Sequence, residues 1–263
     1  MNPITDLARL LLLQPLFNLF IFLAVLWPFT HNVAFAVIGL SILVRLLLYP
    51  LQRQTIKSQQ AMHKLAPELA NLREEHKGDQ TKLAQETMAL YRRHGINPAS
   101  GCLPALAQLP ILIILFYLFR NIFRHDLLYA PLLARFPTAE ALQSALDTTF
   151  FGINLVQPDP WILPIITGAL QFFQSRQMLP PKQELKTHEG VDFQQQLSRQ
   201  MMYIFPLMTI FIARTLPAAL PLSWSVTTIF MIAQQWWLSR SAKLVEATTP
   251  KVEVTVRQKS PKR

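Results

Sequence analysis

VAFAVIGLSILVRLLLYPLQ, residues 33–52, carries one charge, Arg45, in an otherwise uncharged and mostly apolar run. About 20 such residues are what a helix needs to cross the hydrocarbon of a bilayer. The stretch reads as a membrane-spanning helix, and four more follow it: CLPALAQLPILIILFYLF (102–119), PWILPIITGALQFFQSRQM (160–178), MMYIFPLMTIFIA (201–213) and LPLSWSVTTIFMIAQQWWL (220–238). With their margins the spans fall at about 33–55, 101–122, 160–178, 197–214 and 219–239. RTLPAALP, between the last two, is long enough only for a tight turn.

Composition agrees. Apolar residues make up 51% of the 263 and charged residues 15%, well below the roughly 25% of an ordinary globular chain. Mean hydropathy is +0.25. Seven glycines and 20 prolines favour helices with punctuated ends over a β-barrel with many turns. Cys102 is the one cysteine, so neither an internal disulfide nor a cysteine-based metal cage is available.

Orientation follows from lysine and arginine. Segment 53–98 carries eight, segment 175–199 four and the stretch from 240 onward seven, whereas 121–159 has only Arg124 and Arg135. The basic segments are separated by even numbers of spans, so one orientation puts all of them in the cytoplasm. Segment 121–159 is then outside and the C-terminus inside. The net charge of +10 faces anionic lipid or nucleic acid.

Two flanking regions are amphipathic rather than spanning. LLLLQPLFNLFIFLAVLWPF (10–29) is long enough to cross but contains Gln14, Pro15 and Asn18. It lacks the basic start and small-residue cleavage site of a signal peptide. An interfacial helix within 1–31 fits the polar positions better than a sixth span. Residues 56–97 are polar but periodic. Met62, Leu65, Leu69 and Leu72 make a narrow apolar stripe, and Leu83, Met88 and Tyr91 continue it beyond the turn at Lys77-Gly78-Asp79. A helical hairpin results, with Pro67 distorting its first arm. The stripe either closes the hairpin on itself or contacts incoming chains.

Arg45 needs its own explanation. A charge at the centre of a spanning helix costs about 2.5–3.5 kcal/mol on insertion scales. It either faces a polar cavity or snorkels, since the cytoplasmic end lies roughly 8–9 Å away at about 1.5 Å per residue. The core spans offer no convincing carboxylate. They do offer Gln108, Gln171, Gln174, Ser223, Ser225, Thr227 and Thr228. A cation among uncharged hydrogen-bonding groups points to a hydrated pocket, although interhelical bonding accounts for any one of these side chains.

Together these stretches resemble the YidC family of membrane protein insertases, which includes the mitochondrial oxidase-assembly and chloroplast thylakoid insertases. LVRLLLYPLQRQTIKSQQAMHKLAPEL looks like the family's first core span and hairpin entry, with Arg45 and Pro50 at the family arginine and proline. LYRRHGINPASGCLPALAQLPILIILFYLF resembles the hairpin exit and second span, with Asn97-Pro98, Gly101-Cys102 and Gln108-Leu109-Pro110 at its motifs. DPWILPIITGALQFFQ is similar to the third span, with Gln174 at a groove glutamine. LPAALPLSWSVTTIFMIAQQ resembles the last, with Trp224 at the motif tryptophan. The likeness covers roughly residues 10–240. It departs at Ala219, where the family has glycine, and at Ser223, where it has tyrosine. The asparagine usual after the tryptophan is absent, with Thr227 and Thr228 nearby.

The resemblance implies an all-α membrane protein: a five-helix transmembrane core with a cytoplasmic helical hairpin and an N-terminal interfacial helix, in the minimal form without a large periplasmic domain. Residues 1–31 are the interfacial part, 32–240 the insertase core and 241–263 a basic disordered cytoplasmic tail. Within the core, 56–97 is the hairpin, 123–159 the external loop and 179–196 a cytoplasmic loop. The implied activity is insertion of nascent membrane proteins into a bacterial inner membrane through a groove open to cytoplasm and lipid. Arg45, Gln108, Gln171, Gln174, Ser223, Trp224 and Thr227 would line the groove, with Met62, Leu65, Leu69 and Leu72 as hairpin contacts. Arg45 would attract the substrate's translocating tail. No enzyme activity, cofactor, metal or small-molecule substrate is expected. There is no HExxH or GxSxG motif and no phosphate-binding glycine loop. The basic tail would bind ribosomal RNA or anionic lipid, and the Sec translocon is a candidate partner. A small anion transporter or channel is the rival reading, against which stands the lack of an inverted repeat.

Overall fold

The computed structural model describes residues 13–26, 31–76, 78–97, 103–120, 128, 130–178 and 193–248. Side chains at 103–111, 193–199, 241–248 and a few single positions are left aside. The described residues are mostly helical, as the sequence implies.

The decisive stretch begins α2 (Val33–Leu47), preceded by α1 (Gln14–Leu26). Asn32 caps α2, its side-chain oxygen accepting from the Ala34 N–H at 2.8 Å. Phe17, Phe20, Ile21 and Ala24 recur at helical spacing on α1 and are fully buried in the same core as Val33, Ala36, Val37 and Leu40 of α2. Asn18 donates to the Gln14 carbonyl of its own helix at 2.7 Å, which makes its presence in an apolar helix inexpensive.

α2 stops at Leu48 and α3 (Tyr49–Lys64) leaves at a bend of 64°. The sequence reading expects a single span over 33–55. Pro50 is the reason for the difference. It has no N–H to offer the preceding turn, and its ring crowds the carbonyl four residues back. In the first turn of a new helix neither defect matters. Among the described residues, no single helix is long and apolar enough by itself to cross a membrane; Val33–Leu47 and Tyr49–Met62 pass only as this bent pair.

The rest of the bundle is α6 (Leu103–Arg120), α9 (Ile162–Met178), α10 (Phe193–Ala213) and α11 (Ala219–Thr248). α9 packs on both α10 and α11, and α11 also packs on α2, α3 and α6. α11 is therefore the hub. It runs to Thr248, past the boundary near 239 expected from apolarity alone. At Gly168 an added Cβ would collide with the Ile210 side chain and lie 3.3 Å from the Pro206 carbonyl oxygen. Only a residue without a side chain lets α9 approach α10 this closely.

The segment expected as an external loop is built. It contains α7 (Ala130–Arg135), α8 (Ala139–Ala145) and the two-residue strands β1 (Thr149–Phe150) and β2 (Ile153–Asn154), paired antiparallel with Phe150 opposite Ile153. It ties one end of the bundle together. Val33 N–H donates to the Asp147 carbonyl at 2.8 Å and Asp147 N–H to His31 O at 3.0 Å. Asn32 Nδ2 donates to Asp147 Oδ2 at 2.8 Å and to the Thr149 carbonyl at 2.7 Å. On the far side, Ala218 N–H reaches Gln157 O at 2.8 Å and Ala219 N–H reaches Leu155 O at 2.9 Å. This capped end joins the starts of α2 and α11 through one continuous backbone.

At the opposite end α4 (Ala66–Glu75) and α5 (Gln80–Arg93) pack on each other. The distortion expected at Pro67 takes the form of a break at Leu65, which leaves proline in the first turn of α4. Gly78 turns the chain at φ +97° and Asp79 caps α5, accepting from Lys82 N–H at 2.9 Å. Leu65, Leu69 and Leu90 form the small core between the arms, with Leu72, Tyr91 and Ile96 against it.

Candidate functional site: a polar seam along the last helix

α11 enters the bundle as Leu-Pro-Leu-Ser-Trp-Ser-Val-Thr-Thr, and its small polar residues point to different neighbours. Ser223 Oγ lies 3.0 Å from Ser41 Oγ on α2. Ser225 Oγ lies 2.9 Å from Thr167 Oγ1 on α9, and that hydroxyl also approaches the Leu163 carbonyl at 2.7 Å and the Pro221 carbonyl at 3.0 Å. Thr227 Oγ1 donates to the Trp224 carbonyl at 2.9 Å. The hydroxyls of Ser223, Ser225 and Thr227 each have a neighbour within hydrogen-bond reach, as burial away from water requires.

One turn further along α2, Arg45 is only 6% exposed. It lines a narrow cavity with Leu40, Ser41, Val44, Leu115, Ser223 and Thr227. The free interior has room for about one water molecule. The helix places it there simply: Ser41 and Arg45 are four residues apart and share a face.

Below this level the seam turns to glutamine. Gln174 is buried and its Nε2 reaches the Met231 sulfur at 3.6 Å. Gln235 Nε2 donates to the Gln177 carbonyl at 3.3 Å, and Gln60 Nε2 to Ser239 Oγ at 3.1 Å. The side-chain oxygens of Gln52, Gln171, Gln177 and Gln234, and the Gln234 nitrogen, are buried and find no protein partner among the described residues. A buried polar atom without a partner costs about 1–3 kcal/mol. These glutamines lie on α3, α9 and α11.

The sequence-predicted residues divide accordingly. Arg45, Ser223 and Thr227 meet at one cavity. Gln171, half-buried, and Gln174, buried, sit on α9 away from the cavity lining, and Trp224 is half-buried on α11 without lining it. Gln108 sits on α6 with its side chain outside the described residues. Leu65, Leu69 and Leu72 are spent on the core between α4 and α5, and Met62 stands apart from that core. Of the residues on the second arm, Met88 is 44% exposed, and Leu90 is buried in its stead. Sequence reasoning passed over Ser41, Gln52, Gln177 and Gln234. The available signals were the spacing of Ser41 from Arg45 and the Gln234-Gln235 pair inside an apolar run. Among the described residues no group of His, Cys, Asp or Glu could hold a metal ion.

A helical bundle with many large apolar side chains on its surface and polar side chains buried between its helices fits a membrane protein. The chain belongs to the 60Kd inner membrane protein family, whose model matches residues 25–246, and with it to the YidC-type membrane protein insertases. It is 32% identical over 213 residues to the membrane protein insertase YidC of Fusobacterium nucleatum, covering 81% of this chain and 88% of that one. It is 36% identical over 208 residues to the membrane protein insertase MisCA of Bacillus subtilis, covering 77% and 69%. The likeness to YidC of Cupriavidus metallidurans is 34% over 231 residues, 88% of this chain but only 36% of that longer one. The family is one of inner-membrane insertases and not of enzymes.

Proposed function

We propose that this chain inserts nascent membrane proteins by receiving their polar segments into the seam along α11. The observation that carries the reading is Arg45, buried at the closed head of a run of neutral hydrogen-bonding side chains. Moving a polar segment unaided across about 30 Å of hydrocarbon is prohibitive. A seam wetted from one side shortens that path. Arg45 attracts acidic residues of the translocating tail, and the substrate's apolar helix then leaves into lipid. Its partitioning drives the step, so no nucleotide is consumed.

In this reading the capped end faces outward and the α4–α5 hairpin lies in the cytoplasm, as the lysine and arginine distribution favours. The spanning elements are α2 with the start of α3, α6, α9, α10 and α11. α1 lies at the outer interface, where the polar Gln14 and Asn18 are tolerated. The lipid-facing surface is the exposed apolar one that includes Leu46, Ile165, Phe173, Leu207 and Phe211. Contiguous surface of that kind is costly in water and at home in a bilayer. The hairpin touches incoming chains, and the basic residues after 240 contact anionic lipid or ribosomal RNA. The ribosome and the Sec translocon are the partners this places at the cytoplasmic side.

The test is reconstitution. The purified chain in liposomes should protect from protease the translocated tail of a single-span substrate with a short acidic tail. Arg45→Ala should weaken that protection, and less so when the tail is neutral. No protection of any such substrate by the intact chain overturns the reading.

A further inference from the structure

The tip of the β1–β2 hairpin breaks two rules at once. Phe151 and Gly152 both have positive φ, +48° and +80°, the backbone of a tight two-residue hairpin turn. Turns of this kind favour asparagine or aspartate before the glycine, and a bulky aromatic in the left-handed region is uncommon. Phe151 is also 91% exposed. A residue that is wrong for its turn and wrong for water points to something that covers it.

Its neighbours say what that is. Phe151 stacks edge-on against Phe150, with ring centroids 4.6 Å apart, and Phe150 against Phe35 of α2 at 6.4 Å. Phe35 heads a stripe of α2 that continues at helical spacing through Ile42 and Leu46, which are 38% and 56% exposed. The tip is thus an extension of the apolar outer surface of α2, level with its first turns. Residues 148–156 contain no charged side chain. Across the capped end, Trp161 is 55% exposed with the Arg214 guanidinium 3.9 Å from its ring centre. An amphipathic aromatic beside a cation is what a protein presents at a headgroup boundary.

We propose that the β1–β2 tip is a lipid anchor, with Phe151 seated in the interfacial region of the outer leaflet, holding the cap against the bilayer. This rests on the membrane-embedded reading given above. Because Asp147 and Leu155 tie the hairpin to α2 and α11, the anchor would fix the depth at which the closed end of the seam meets the membrane.

Spin labels test it in the full chain, reconstituted into phosphatidylethanolamine–phosphatidylglycerol liposomes. In a Cys102→Ser background, single labels go at Phe151→Cys, at Leu46→Cys and at Asn154→Cys, an exposed neighbour on β2. Collision with oxygen, which concentrates in lipid, is compared with collision with a water-soluble nickel chelate. The expected result is a several-fold higher oxygen-to-nickel ratio at positions 151 and 46 than at 154. A lipid-like ratio at 46 with a water-like ratio at 151 overturns the anchor alone. A label at 151 shielded from both reagents overturns it in favour of a protein cover. A water-like ratio at 46 overturns the membrane placement and the anchor with it.

Discussion

The two ends of the bundle use similar neutral polar side chains to opposite effect. At the capped end Asn32 serves one acceptor and two donor bonds, Thr167 meets three neighbours, and Ser41 meets Ser223. At the hairpin end Gln52, Gln171, Gln177 and Gln234 hold buried amide atoms that find no protein partner among the described residues. A satisfied buried network rigidifies; an unsatisfied one favours whatever can complete it, water or an extended peptide. Similar chemistry is therefore a lock at one end and, in the function proposed above, a receptor at the other. Arg45 stands between the two, one turn beyond Ser41 on α2.

The largest expected effect falls on Arg45. Replacing it with glutamine removes the charge but keeps hydrogen-bonding capacity, so most of the thermal stability in detergent should remain. Insertion of an acidic-tailed substrate should fall by about tenfold, the equivalent of losing roughly 1.4 kcal/mol of attraction. Liposome insertion beside a melting curve reads both, and equal loss of the two would reduce Arg45 to a structural role. Next comes Asn32→Ala. It removes the cap of α2 together with two bonds to the 147–149 segment, and about 2–3 kcal/mol of stability should go with them. A melting temperature within a degree or two of the parent would break the picture of a locked end.

Gly168→Val should cost about 1–3 kcal/mol by forcing α9 from α10, visible as earlier thermal unfolding; unchanged unfolding would show that Ile210 yields freely. The smallest pair is the most telling. Thr167→Val should lower stability by about 1 kcal/mol and leave insertion alone. Gln234→Leu should raise stability by about the same amount and slow insertion. Identical signs for both variants would erase the distinction between the ends.

How far the sequence could be read depended on the kind of signal. Apolar runs are local, and they sufficed for a mostly helical chain and for the stretches from which the bundle is built. Arg45 stood out because it is the one charge in an otherwise uncharged run. The family motifs then carried it to a site, although by itself its position fitted snorkelling equally well. The break at Pro50 was readable in principle, since the defect of proline is local; whether the chain bends there or continues depends on what packs beyond it. The hairpin stripe was legible as amphipathic, but its owner was not. Leu65 and Leu69 turned inward against Leu90, which periodicity from Met88 had passed over.

What the amino-acid order determined by itself is the solvent each segment belongs in, because transfer free energy is a property of the side chain and its near neighbours. What only the tertiary structure decided is which polar groups meet. Ser41 and Ser223 are 182 residues apart in the chain and 3.0 Å apart in space. Asn32 reaches over 115 and 117 residues to the segment that closes the capped end. A hydrogen bond depends on distances of a few tenths of an ångström, and nothing in local sequence encodes those. Arg45 is legible as an anomaly from its own stretch; its place beside Ser223 and Thr227 exists only once α11 has folded back against α2.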